Sequence, residues 1–333
     1  RDLKWQKWSR QRYAHVPLDG ADPAKVSSRY KFPKEHKPSV RDVARDVTLL
    51  LRASLLMGEA LFVWVEDAAF YFNQFAYAPE EFPKSTFIVS ARDGDLDALG
   101  EAFAPGQLVF VSEQRLGFGS FASSNIAQRF SNAMVEWTLS DFDAAEASAF
   151  SRDPSPTWRD WINERRPLED KCRQQRPKQK GQALTDCTQT RLATIHMYTD
   201  DPIMIAVGVQ RAKRLMLAWK GVTHGVRLTM AGADKRQVGG HVEWIGVLVM
   251  AAIGVLVIPK NKLVRAKDAL LRTKAKQITF GEYRALVGLL EHLRFVAQLT
   301  ADTTNVLYRP HAKGGQGRDG PSTVIRPDAE MVA

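Results

Sequence analysis

From Val40 the run VRDVARDVTLLLRASLLMG places Val40, Val43, Val47, Leu50, Leu51, Ser54 and Leu55 on one stripe at helical spacing, and Gly58 closes it. That predicts an amphipathic helix. ALFVWVED then reads as a buried strand running into acidic residues, and GQLVFVS and LATIHMYTDD read as two more strands. The apolar run PIMIAVG follows Asp200 and Asp201, so HMYTDDPIMIAV predicts a hairpin with the acidic doublet in its turn and Pro202 opening an edge strand. Farther on, RAKRLMLAWKGVTHG predicts a helix, HVEWIGVLV with GVLVIPK a hairpin, and LVRAKDALLRTKAKQ and TFGEYRALVGLLEHLRFVAQLT two further helices. The apolar run from Ile245 to Ile258 is shorter than the roughly 18 residues a bilayer demands, and reads as buried strand.

Charge narrows the class of partner. The 333 residues carry 47 Lys+Arg against 37 Asp+Glu, a formal +10, which favours polyanions, nucleic acid first. Residues 1–39 are basic, aromatic and broken by Pro17, Pro23, Pro33 and Pro38. Between Ser151 and Arg191 the composition turns basic again, notably in KCRQQRPKQK, and predicts an exposed insertion. The Gly-rich tail from Lys313 predicts disorder. Cys172 and Cys187 have neither zinc-ligand nor redox-motif spacing, and the opening residues lack the apolar core of a signal peptide. An intracellular protein, cytoplasmic or nuclear, with no membrane partner is expected.

The chemistry centres on carboxylates. Asp200 and Asp201 would repel one another in a half-buried turn and take up protons unless a cation neutralised them. Oxygen donors with no nearby His or Cys select Mg²⁺ or Mn²⁺. An Asp–Asp turn is also commonplace on solvated surfaces. Asp67, at the end of the strand that passes through Glu66, supplies a third carboxylate if that strand pairs beside the hairpin. Two ions about 4 Å apart on such a trio would activate a 3′ hydroxyl and stabilise departing pyrophosphate.

These residues resemble the reverse transcriptases of retroelements. Asp67, Phe72 and Gln74 fall into that family's Asp-x4-(Phe/Tyr)-x-Gln block. LGFGSFASSNIAQ matches the length of the next block, with Leu116, Gly119, Ser123 and Gln128 in agreement and Gly117 and Ser124 in place of prolines. Tyr198, Asp200 and Asp201 match Tyr-x-Asp-Asp, and GVRLTMAGADKRQVGGHVEWIG resembles the blocks that follow. The resemblance implies an α+β right-hand polymerase with an antiparallel-sheet palm, fingers and a helical thumb. It divides the chain into a fingers segment at 1–60, a palm at 61–260 holding the insertion at 151–191, and a thumb-like region at 261–312. It implies catalytic and metal-binding roles for Asp67, Asp200 and Asp201, with two Mg²⁺ or Mn²⁺ ions. Phe72, Gln74, Gly119, Gln128 and Lys235 would face the nucleotide, and Trp244, Ile245 and Gly246 would hold the primer end. Phe72 could equally be plain core. The implied activity is RNA-directed DNA polymerisation on a primed RNA or DNA template with deoxynucleoside triphosphates. The alternative is a catalytically degenerate relative that binds nucleic acid by charge. The family's basic fingers block has no recognisable counterpart; Arg29 and Lys31 lie at about the right distance before Asp67.

Overall fold

The computed structural model describes residues 35–76, 86–95, 100–112, 114–116, 123–175, 189–275, 277–294 and 296–297. The chain divides into two units, Arg1–His36 and Lys37–Ala333, and the second is described below. The predictions for residues 1–34, Gly119 and the tail from Lys313 lie outside the described residues.

The first helix, α1 (Val40–Met57), forms where its stripe predicts. Ser39 and Asp42 make a capping box at its start, and Gly58, at φ 63°, ends it in the left-handed conformation that glycine adopts without strain. Val40, Val43, Val47, Leu50 and Ser54 are buried, but Leu55 stands 75% exposed because it lies about 100° round the helix from Ser54.

Strand β1 (Leu61–Val65) follows, then a short antiparallel ribbon of β2 (Thr86–Ser90) and β3 (Leu108–Ser112). Two helices come next, α2 (Ser123–Arg152) and α3 (Pro156–Gln175). The hairpin of β4 (Ala193–Tyr198) and β5 (Asp201–Val207) leads into α4 (Val209–Gly225), and β6 (Gln237–Gly239) returns to the sheet. The central sheet is antiparallel throughout, in the order β4-β5-β1-β6. β5 is therefore an inner strand, not the edge strand expected from Pro202. The proline sits one residue after the turn, and its carbonyl still accepts from Glu66 N at 3.3 Å.

Alternation along β1 and β5 feeds two cores. Val63, Val65, Ile203, Ile205 and Val207 face α1 and α3, while Trp64, Met204 and Ala206 face α2 and α4. The predicted exposed insertion needs correction here, since α3 buries Trp158 and Trp161 in the first core. Its arginines made the segment look solvated, although Arg165 itself is buried. The expected second hairpin is a three-stranded meander of β7 (Val242–Trp244), β8 (Val247–Met250) and β9 (Val255–Val257), so Ile245–Ile258 is no single strand. Helices α5 (Lys260–Lys274) and α6 (Phe280–Leu293) close a separate small core around Ile278 and Tyr283. The architecture is α+β, with an antiparallel sheet backed by helices. No helix among the described residues is long and apolar enough to cross a membrane.

One polar contact ties α1 to the edge of the sheet. Asp46 accepts from His196 Nε2 at 2.9 Å, Thr194 Oγ1 at 3.2 Å and Arg45 Nε at 2.8 Å. Burial pushes its carboxyl up, but His196 and Arg45 outweigh that and hold it below the ordinary range. A depressed carboxyl stabilises the fold above the unfolded value of about 4 and ceases to do so as pH falls through its folded value. Asp46→Asn should therefore cost about 2 kcal/mol in urea unfolding at pH 7 and almost nothing at pH 2. A penalty equal at both pH values would refute this account of Asp46.

Candidate active site

The sheet register brings the predicted aspartates together. β1 and β5 pair Val65 with Ile203, and the hydrogen bonds Glu66 N to Pro202 O (3.3 Å) and Ala68 N to Asp200 O (3.1 Å) carry that register beyond the strand end. Continued, that register sets Asp67 across from Asp201 as a non-hydrogen-bonded pair, a kind whose Cα atoms stand about 4.5 Å apart. Tyr198 pairs with Asp201, which leaves Thr199 and Asp200 as the two-residue turn.

Such a turn requires a positive φ at its first residue to match strand twist, and Thr199 adopts φ 57°. A β-branched residue is strained there, by about 1–3 kcal/mol. Helix α2 holds the turn in place. Gln128, fully buried, accepts from Thr199 N at 2.9 Å and donates to Met197 O at 2.9 Å, and Ser131 Oγ donates to Thr199 O at 2.5 Å.

The carboxylates are under electrostatic stress. Burial, with a contribution from the Asp67 charge, raises the Asp200 carboxyl, while its own backbone and the ammoniums of Lys37 and Lys235 oppose the rise. Burial, then the charges of Asp200 and Asp67, pushes Asp201 up to about 6. Lys235 Nζ donates to Asp67 Oδ2 at 2.8 Å, and that bond raises the lysine above its ordinary range. Lys37 Nζ donates to Ser124 Oγ at 2.5 Å and lies 5.0 Å above the Tyr198 ring; burial lowers its pKa against the pull of Asp200. Glu66 is engaged elsewhere, accepting from Trp219 Nε1 and pairing with Arg236, each at 2.9 Å.

The donor set suits a divalent ion, because it is all oxygen, acidic and short of compensating charge at Asp200 and Asp201. Among the described residues no three acidic, His or Cys side chains already stand as a metal cage. The ammonium of Lys235 occupies one oxygen of Asp67.

The other predicted residues divide. Phe72 packs beside Tyr71 in the second core, 8% exposed. Gln74 joins two loops, donating to Ala69 O (2.5 Å) and Thr229 O (3.0 Å) and accepting from Thr229 N (2.8 Å). Gln128 braces the turn, as described. Trp244 Nε1 donates to Asp201 O at 2.9 Å, which seats the β7–β8 turn behind the doublet. The structure adds two residues that no sequence pattern announced, Lys37 and Ser131.

Ile245 and Gly246 form the β7–β8 turn with φ 38° and 80°. A Cβ at Gly246 would fall 1.8 Å from Lys262 Nζ, which donates to Gly246 O at 2.6 Å. Gly246→Ala should lower stability by about 2 kcal/mol, part from the left-handed backbone and part from displacing Lys262. In a Lys262→Ala background about 1 kcal/mol should remain, the backbone share alone. Equal penalties in the two backgrounds, measured by urea unfolding, would show that the lysine contact contributes nothing.

Comparison with known proteins gives sparse results. Neither a protein-family model nor a curated protein matches the sequence. Among solved structures, apo telomerase from Candida tropicalis, truncated from its C-terminal domain, is similar at 11% identity and a TM-score of 0.38, over 68% of this chain and 41% of that one. Telomerase from Candida albicans, in complex with the TWJ fragment of telomeric RNA, is similar at 11% identity and a TM-score of 0.37, over 87% of this chain and 46% of that one. The chain spans less than half the length of either telomerase chain.

Proposed function

We propose that this chain is a reverse-transcriptase-related nucleotidyltransferase that extends the 3′ end of a primer on a nucleic-acid template. The observation that carries the reading is the antiparallel register that sets Asp67 across from Asp201 beside a tight turn bearing Asp200. Asp67, Asp200 and Asp201 would hold the divalent ions. Bound there, such ions supply the Lewis acidity that eases proton loss from an attacking hydroxyl and balances charge on the departing phosphate. Gln128 and Ser131 fix the turn, and Trp244 fixes the backbone of Asp201. Lys235, which bonds to Asp67 here, would be the cation placed to meet phosphate. Phe72 and Gln74 shape the loop beside Asp67. The order of the sequence blocks supports the reverse-transcriptase resemblance, and the net charge of +10 suits a template-primer duplex held through its phosphates.

The test is extension of a labelled primer on RNA and on DNA templates with deoxynucleoside triphosphates and Mg²⁺ or Mn²⁺. Ion-dependent, template-directed incorporation is expected. Tight binding of template-primer with no incorporation under either ion would overturn it. That result would favour a catalytically silent, nucleic-acid-binding relative, a reading to which the Lys235–Asp67 ion pair lends weight.

A further inference from the structure

A cavity of about 300 Å³ opens on the α1/α3 side of the sheet, at the outer strand β4. Its lining includes Arg45, Arg52, Arg165 and Arg191, with Asp46 as the one carboxylate. That carboxylate already accepts three hydrogen bonds, from Arg45, Thr194 and His196. Arg191 is paired with Asp143 through both ends of its fork, and Arg52 Nη2 reaches Glu164 Oε1 only at 3.5 Å.

Arg165 is the unusual member. It is 7% exposed, its guanidinium lies 4.7 Å above the Trp161 ring, and its buried Nε and Nη2 have no hydrogen-bond partner. The nearest paired carboxylate oxygen, Glu164 Oε1, is 3.6 Å from Nε, beyond hydrogen-bond reach. A guanidinium withdrawn from water with two orphan donors is unfavourable unless something completes it. Stacking on tryptophan fixes the plane of the fork, and a planar fork of N–H donors matches phosphate oxygens two at a time.

We propose that this cavity is an anion site that takes a phosphoryl group, with Arg165 as the buried anchor and Arg45, Arg52 and Arg191 around it. The volume exceeds that of a lone phosphate and reaches the lower end of small-molecule pockets, so the phosphoryl group can arrive attached to more of a ligand. The site does not depend on the aspartate trio and stands whether or not the chain polymerises.

The test is calorimetric titration with inorganic pyrophosphate and, separately, with a single-stranded decathymidylate, in EDTA-containing buffer matched in ionic strength. EDTA removes any ion-dependent binding at the aspartates. Wild-type protein should bind at least one probe. Arg165→Met should weaken that binding at least tenfold while leaving the thermal midpoint in anion-free buffer unchanged or higher. Arg52→Gln, at an exposed position that folding tolerates, should weaken it about threefold. Pyrophosphate binding lost in Arg165→Met assigns the site to free phosphate compounds, and oligonucleotide binding lost alone assigns it to a nucleic-acid strand. Binding of neither probe, or affinities unchanged in Arg52→Gln and in any folded Arg165→Met, overturns the proposal.

Discussion

Asp200→Asn is expected to reduce ion-dependent primer extension by about 10³-fold or more while leaving the protein folded and able to bind template-primer. Asparagine keeps the shape of the side chain and the turn, but it is a poorer ligand for a hard divalent cation and carries no charge. The folded state loses nothing by the change, because the carboxylate it removes is half-buried beside Asp67 and raised by burial. Relief of repulsion should also move Asp201 down from about 6 towards the ordinary carboxylate range. Retention of full activity in Asp200→Asn would remove the aspartates from the reaction.

The same electrostatics predict how pH acts on stability. A carboxyl raised in the folded state binds its proton more tightly there than in the unfolded chain. Without divalent ions, Asp201 should therefore make the wild type lose stability as pH rises from about 4 to about 6, with no further loss from this group above that. An ion held by the ionised carboxylates would reverse the sign. Mn²⁺ should raise the thermal midpoint at pH 7.5 and cease to do so below pH 5, and Asp200→Asn should blunt both effects. A Mn²⁺ shift of equal size at pH 5 and pH 7.5 would place the ion elsewhere on the protein.

What the sequence disclosed follows from where periodicity is strong. Helix α1 was legible because its stripe is apolar and its ends carry a capping box and a glycine. The hairpin around Asp200 was legible because two apolar runs flank it without a gap, and Asp67 because an apolar strand ends on it. Helix α2 left little apolar periodicity to read. Its buried face includes Ser123, Gln128, Ser131 and Thr138, so the core-facing side of a 30-residue helix does not look apolar. Segment 151–191 misled for the opposite reason: α3 is rich in arginine, and its two buried tryptophans are outnumbered in any composition count. Arg211 is a related case, buried yet paired with Glu59 and Glu146 and stacked 4.4 Å from Trp158. Pairing across more than 60 residues leaves no local pattern, and the approach of Lys37 to Ser124 and Tyr198 leaves none either.

Gln128 offers the sharpest test of whether a block that resembles one of the reverse transcriptases would mark contact with substrate or support of the turn. Its amide joins α2 to the hairpin through Thr199 N and Met197 O, both buried backbone groups. Gln128→Leu keeps the volume and strands both groups, so the protein should lose about 3 kcal/mol in urea unfolding without any nucleotide present. Thr199 compounds the loss, because its positive φ persists only while neighbouring bonds hold it. Gln128→Glu keeps an acceptor for Thr199 N but removes the donor to Met197 O and buries a charge, so it should be no better tolerated. If the variant remains folded at low temperature, kcat should fall while KM for the nucleotide stays within about twofold, since a displaced turn misplaces Asp200 rather than the bound triphosphate. A residue that touched the nucleotide would behave in the reverse way, with KM raised and unfolding unchanged. The second pattern would return Gln128 to the nucleotide face and leave Ser131 alone to hold the turn.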